Sequence, residues 1–192
     1  MKRLIVRLTA VVSCAVALIA LSAVAHAEAE QPGLPGGSST CIHPVAYFDL
    51  GNVLVDSHDF TKMKYMPEAQ RYVRRLKARQ VTMGLIVNIP VKWGTSDQER
   101  VDKLKEFIAS GWIGDTPFDW TPFEGRIILP RTDGERKPAP AMFERGLEWA
   151  APCEAVYQGE DLEELDAAGR AGLRTYHVGQ PDQPYFMPVR QL

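Results

Sequence analysis

The chain has 192 residues, with 22 Lys and Arg against 24 Asp and Glu and a formal net charge of -2. Apolar residues make up 45% and charged residues 24%, an ordinary globular mixture. This balance excludes a strongly basic nucleic-acid binder and a disordered or collagen-like chain, and the length suits one compact domain.

The first residues read as a secretory signal peptide. Lys2, Arg3 and Arg7 give a positive start, and residues 11–24 are almost uninterrupted Ala, Val, Leu and Ile. Ala25 and Ala27 supply the small residues of a cleavage site before Glu28. The apolar run falls short of the ~20 residues that a spanning helix needs, so no stable membrane span is expected after cleavage. Cleavage removes Cys14 with three basic and no acidic residues. The remaining acidic domain has no electrostatic reason to seek nucleic acid or anionic lipid. Export to the periplasm or the exterior is expected. Residues 28–43, with the run QPGLPGGSST, read as a flexible linker, which leaves 44–192 as the folded domain.

From there, strand and helix signals alternate. Residues 44–50 (PVAYFDL) are an apolar run of strand length, followed by Gly51-Asn52 and a second apolar piece, Val53-Leu54-Val55. Pro67 opens a helix with Ala69, Val73 and Leu76 on its apolar side and Arg71, Arg74, Arg75 and Lys77 facing water. Residues 81–88 (VTMGLIVN) read as a buried strand. Ser96 and Glu99 form a capping box before a helix with Val101, Leu104, Phe107 and Ile108 on one face. Residues 126–129 (RIIL) give a short strand, and 140–150 a helix carrying Phe143 and Leu147. Residues 155–158 (AVYQ) are a strand, 161–171 a helix with Leu162, Leu165 and Ala168 inward, and 174–178 (RTYHV) the last strand. Trp93, Trp112, Trp120 and Trp149 read as core or loop-covering residues, and His43 and His177 as structural histidines. Five strands with crossover helices imply an α/β fold whose parallel sheet is covered on both faces. Ligands in such folds bind beyond the carboxyl ends of the strands.

The chemistry-bearing residues fall at those ends. Asp49 closes the first strand, where a carboxylate is costly unless it is paired or used. Glu160 and Asp161 close the fourth, and acids at two strand ends make a hard oxygen site suited to Mg²⁺. Lys137 stands just before a helix start, where an ammonium and the helix amides both face an anion. Acid, acid and lysine around a metal point to phosphoryl transfer through a carboxylate nucleophile.

Four segments carry a resemblance: AYFDLGNVLVD (46–56), GLIVN (84–88), RKPAPAMFERGLE (136–148) and VYQGEDLEELDAAGRAGLRTYHVG (156–179). In order and spacing they resemble the four motifs of the haloacid dehalogenase superfamily. The resemblance implies a Rossmann-like three-layer sandwich with a five-stranded parallel sheet in the order 5-4-1-2-3, Mg²⁺, and hydrolysis of a phosphorylated substrate through an aspartyl-phosphate. It makes Asp49 the nucleophile and Lys137 the residue that steadies nucleophile and phosphoryl group, with Asn88 beside it in phosphate binding. The metal ligands it implies are Asp49, the Gly51 carbonyl and Glu160, with Asp161 next to it.

Some positions depart from the pattern. Gly51 stands where many phosphatases of the family carry a second Asp as general acid/base. Val87 stands in place of a Ser or Thr, and the loss of one such donor costs about 10²–10³ in rate. Glu160 replaces Asp, and the next expected acid falls on Leu165, between Glu164 and Asp166. Asp56, His58 and Asp59, in the segment called the flap, read as solvated loop residues or, for one of them, as a replacement proton donor. The short spacing between Asp49 and Val87 leaves no room for an inserted cap. An open site of this kind suits a phosphate on a large or exposed molecule. The same departures support an alternative, a catalytically degenerate member with a binding or structural role.

The implied strand order makes the first and fourth strands neighbours. Cys41 precedes Asp49 by eight residues and Cys153 precedes Glu160 by seven. The resemblance therefore puts both cysteines at the amino ends of adjacent strands, within reach of a disulfide in an oxidising compartment.

Overall fold

The computed structural model describes residues 41–192; the expected signal peptide, Cys14 and the linker up to residue 40 lie outside the described residues. In chain order the elements are β1 (Val45–Phe48), β2 (Val55–Asp56), β3 (Lys64–Tyr65), α1 (Ala69–Ala78), β4 (Met83–Ile86), α2 (Asp97–Ser110), β5 (Ile127–Ile128), α3 (Ala141–Ala150), β6 (Ala155–Gly159), α4 (Leu162–Ala171) and β7 (Arg174–His177). Five strands form one parallel sheet in the order β5-β4-β1-β6-β7. Numbered along the chain, that is the expected order 5-4-1-2-3 read from the other edge. β2 and β3 pair antiparallel outside this sheet, where the sequence shows only an apolar piece.

Both faces of the sheet are buried. Ala46 and Phe48 of β1 join a cluster with Tyr72, Val73 and Leu76 of α1 and Leu104 and Ile108 of α2. Val45 and Tyr47 join a second cluster with Met142 and Phe143 of α3 and Leu165 and Ala168 of α4. Alternate residues of a pleated strand face opposite sides, so one short apolar run feeds both cores. The result is a three-layer α/β sandwich of Rossmann-like type.

Helix starts follow the local signals. Ser96 Oγ accepts a hydrogen bond from the Glu99 amide at 3.2 Å, and Glu99 Oε2 accepts one from the Ser96 amide at 3.2 Å. One expectation fails in α4. Leu162 is 62% exposed, and Ala167 is buried in its place. At ~100° per residue the inward face of α4 is centred between Glu164 and Ala168, which leaves Leu162 on the far side.

Two packing details fix the layers. Tyr47 lies against Gly84 of β4, where an added Cβ would stand 2.5 Å from its ring, and its hydroxyl donates to the Gly146 carbonyl of α3 at 2.9 Å. Burial pushes the Tyr47 hydroxyl up to about 12. On the other face the segment after β7 returns over the core, burying Phe186, Met187, Val189 and Leu192. It is tied there by the fully buried Gln158, whose Oε1 accepts from the Met187 amide at 3.0 Å and whose Nε2 donates to Tyr72 Oη at 3.2 Å. Tyr72 in turn donates to the Met187 carbonyl at 2.7 Å.

Cys41 and Cys153 are disulfide-bonded, with Cα atoms 5.4 Å apart across a sequence separation of 112. They sit just before β1 and β6, which run side by side in register from Val45 opposite Ala155. His43 and His177 are bound to main-chain carbonyls, those of Leu192 and Glu160, each at 3.0 Å.

Candidate active site

Asp49 follows β1 directly, at the carboxyl end of the sheet. Its Oδ1 accepts from the Leu50 amide at 2.8 Å and lies 2.9 Å from Lys137 Nζ. Glu164 Oε2 lies 2.7 Å from the same ammonium, and Tyr157 Oη accepts from it at 2.7 Å. Tyr157 then donates to Glu164 Oε2 at 3.0 Å. Three oxygens thus surround the three ammonium protons of a side chain that is 0% exposed.

A buried cation survives only with such partners. Burial works to lower the Lys137 pKa, but the charges of Asp49 and Glu164 outweigh it and the net shift is upward. Burial and then the Asp49 charge raise Glu160. Glu164 is also raised, by burial, with Lys137 pulling the other way. Burial and the two carboxylates Asp49 and Glu164 drive the Tyr157 hydroxyl well above its ordinary value.

Asn88, expected to bind phosphate, is used differently. Its Oδ1 accepts from the Lys137 amide at 2.8 Å, and its Nδ2 donates to the Lys137 carbonyl at 3.0 Å and to Glu164 Oε1 at 3.4 Å. Both ends of the amide are spent on holding the lysine loop against β4. Asp161 is not brought into the cluster either. Its Oδ1 accepts from the amides of Glu163 and Glu164, at 2.8 and 3.1 Å, as the N-cap of α4.

Glu160 does face the site. Its Oε1 accepts a long hydrogen bond of 3.5 Å from Asn52 Nδ2, and its buried Oε2 has no partner. A buried carboxylate oxygen without a protein donor is satisfied by an ordered water or a cation. The donors at hand are the carboxylates of Asp49 and Glu160 and the Gly51 carbonyl, all hard oxygens that fit Mg²⁺ completed by water. Among the described residues no three His, Cys, Asp or Glu side chains form a metal cluster.

The flap residues divide. His58 pairs with Asp56 at 3.0 Å on the surface, and exposed Asp59 accepts from the Thr61 amide and hydroxyl. None of these three lines the cavity over Asp49; Ser57 does. A Cβ on Gly51 would stand 2.9 Å from Ser57 Oγ, close enough that the serine hydroxyl would have to turn aside. The cavity holds about 380 Å³ between the β2–β3 hairpin and α2. Trp93 packs against the core and also forms part of the cavity wall, and Val87 lines the cavity beside Asn88.

Glu164 and Tyr157 are the residues that sequence reasoning underrates. Glu164 stands one place before the position the resemblance marks, yet Leu165 is buried in the core and Asp166 is exposed. Nothing in the run AVYQ separates Tyr157 from an ordinary core tyrosine.

Comparison with known proteins adds evidence on fold. No protein-family model matches the chain, and no curated protein does. Among solved structures, an uncharacterized protein from Listeria monocytogenes serotype 4b is 17% identical, covers 74% of this chain and 82% of its own, and gives a TM-score of 0.50. A D,D-heptose 1,7-bisphosphate phosphatase from B. bronchiseptica, solved with magnesium and phosphate, is 18% identical over 71% of this chain and 80% of its own, with a TM-score of 0.47. An uncharacterized protein from Corynebacterium glutamicum is 18% identical over 72% and 87%, with a TM-score of 0.44. At 17% identity the likeness to the Listeria protein is one of fold alone.

Proposed function

We propose that this chain is an exported, capless, Mg²⁺-dependent phosphatase-like hydrolase of the haloacid dehalogenase type that works through a phosphorylated Asp49. The observation that carries the reading is the buried Lys137 ammonium held 2.9 Å from Asp49 and 2.7 Å from Glu164 at the carboxyl end of a parallel sheet. Lys137 fixes the direction of the Asp49 carboxylate. The Leu50 amide and the closest approach of Lys137 both fall on Oδ1, so Oδ2 is the attacking oxygen. It forms a bond to phosphorus as the bond to the leaving oxygen breaks, and that oxygen takes the electron pair. Water then attacks the phosphorus and returns the Asp49 carboxylate and inorganic phosphate. Asp49, the Gly51 carbonyl and Glu160 would hold the Mg²⁺, which when bound offsets the charge on the phosphoryl oxygens.

The signal-peptide pattern and the Cys41–Cys153 bond support an oxidising compartment, periplasm or exterior. Two observations favour a second reading, a degenerate member that binds without turnover. Val87 offers no hydroxyl to a phosphoryl oxygen, and the Lys137 ammonium is already enclosed. Wild type and Asp49→Asn, assayed with p-nitrophenyl phosphate and Mg²⁺, separate the two. Turnover in wild type alone, with a phosphoryl group trapped on Asp49, supports the hydrolase; no turnover and no Mg²⁺ binding in wild type supports the second reading.

A further inference from the structure

The cavity over Asp49 has a polar floor and an apolar wall. Met63 comes from the hairpin side, Trp93 from the turn before α2, and Leu104 and Ile108 from α2 itself. Phe107 joins two more rings, with its centroid 5.5 Å from Phe60 and 5.2 Å from Trp93. Phe60 is 60% exposed, although a large apolar ring of this kind normally seeks cover.

Apart from Asp49 Oδ2, which faces the phosphoryl group in the hydrolase reading, the polar side chains that line the cavity are already engaged. Ser57 Oγ donates to Asn52 Oδ1 at 3.2 Å, Asn88 holds the Lys137 peptide, and Glu164 is bound to Lys137 and Tyr157. Lys137 is the sole cation among the lining residues. Hydroxyls on a leaving group would go unpaired against this wall, and each loses roughly tenfold or more in binding.

The leaving oxygen meets a second restriction. No lining carboxyl stands apart from Lys137 to give it a proton. An alkoxide, close to water with its pKa of about 15.7, needs that proton. A phenolate, with a pKa of about 10 like the tyrosine side chain, leaves without it. The volume of about 380 Å³ falls within the range of small-molecule sites and accepts one or two fused rings.

We propose that this cavity is the leaving-group site for phosphate monoesters of phenols, with Phe107, between Phe60 and Trp93, as the residue that sets the preference. The proposal rests on the hydrolase reading and narrows its substrate from any exposed phosphate to an aryl one. When the P–O bond breaks, the phenolate keeps the electron pair and takes its proton from solvent; the phosphoryl group goes to Asp49 and then to water.

Two measurements on the folded, disulfide-bonded protein test it separately. In the first, 2-naphthol is titrated without phosphate, and amide and indole NMR shifts are followed. Shifts should concentrate at Phe60, Trp93 and Phe107, and Phe107→Ser should weaken binding about tenfold or more. In the second, kcat/KM for 2-naphthyl phosphate should exceed that for glycerol phosphate by about 100-fold with Mg²⁺ present, the effect of two unpaired hydroxyls. Absence of shifts at the three rings, or an equal or greater rate with glycerol phosphate, overturns the aryl site and leaves the hydrolase standing. Naphthol bound at the three rings with no phosphate turned over has the opposite meaning: the hydrolase reading falls, and the aryl pocket remains.

Discussion

β1 and β6 lie side by side, and their two ends are held in unlike ways. Before they begin, Cys41 and Cys153 are joined by a covalent bond that involves no charge. Where they end, Asp49 and Glu160 turn carboxylates toward partly buried space, and the ammonium of Lys137 lies between strands with no exposure at all. A disulfide gains its effect by restricting the unfolded chain, whereas a buried ion cluster is costly to form and useful only as a set. A covalent cross-link and a charged, reactive cluster thus occupy opposite ends of the same pair of strands, so the cross-link can be removed without touching the chemistry, whereas the cluster carries both stability and reactivity.

The largest disturbance should come from the charged end. Lys137→Met would leave Asp49, Glu164 and Tyr157 around an apolar side chain, at a cost of about 3–5 kcal/mol for a broken buried pair. Urea unfolding should show this as a lower midpoint, together with loss of any phosphatase turnover. An unchanged midpoint would mean that the cluster carries little of the energetics assigned to it.

The amino end should give a smaller loss of stability and no loss of chemistry. Replacing both Cys41 and Cys153 by Ser should cost about 2–5 kcal/mol. Below the unfolding transition, turnover should stay close to wild type. If activity falls in a fully folded double variant, the two ends are coupled and the comparison is broken.

Val87→Thr adds to the cavity a hydroxyl that its lining at that position lacks. Turnover should rise by about one to two orders of magnitude, worth about 1.4–2.8 kcal/mol in the barrier. A flat or lower kcat would show that the cavity no longer accommodates a phosphoryl oxygen.

The smallest effect belongs to an ion pair left in water. Arg131 Nη2 lies 2.7 Å from Asp97 Oδ2 at the start of α2, and the hydrogen bond from Arg131 is the main cause of the lowered Asp97 pKa. Both side chains are about half exposed, so Arg131→Gln, which leaves the bond between Asp97 and the buried Arg100 in place, should cost only about 0.2–1 kcal/mol at pH 7. With a depressed folded pKa, wild type holds this advantage above the ordinary carboxylate range and loses it as pH falls through the lowered value. Thermal melts of both proteins from pH 7 to pH 2 should therefore converge; a gap that stays constant points to a cause other than charge.

Much of this arrangement is legible locally. Ser96 and Glu99 announce α2 because a capping box needs only four residues. The inner strands are legible because strands covered on both faces are continuously apolar, whereas the edge strand β7, RTYH, is exposed or half-buried. β2 and β3 are two residues each, too short for any period to appear. The return of residues 184–192 over the core leaves no local pattern, since its anchor, Gln158, is an isolated polar residue inside β6. In the site, Asp49, Lys137 and Glu160 can be picked out because strand-end acids and a lysine before a helix are unusual on their own. Glu164 depends on the rotational phase of α4, which the Asp161 cap sets, and one residue of phase turns a side chain by ~100°. Asn88 and Tyr157 acquire their roles only when β4, the lysine loop and β6 are brought together.

Tyr47, seated against Gly84 and bonded to the Gly146 carbonyl, also bears on how this sequence can drift over evolutionary time. A methyl group at 84 would meet the ring at 2.5 Å and the Arg126 carbonyl at 2.8 Å, and one at 146 would meet Ile86 at 3.2 Å. No step from glycine at 84 is tolerable while the aromatic ring remains, and loss of the ring alone opens a void between β4 and α3. Because the Arg126 carbonyl blocks position 84 whatever stands at 47, a smaller residue at 47 gives no freedom there. In descendants that keep this architecture the glycine at 84 should persist, and the ring at 47 with it.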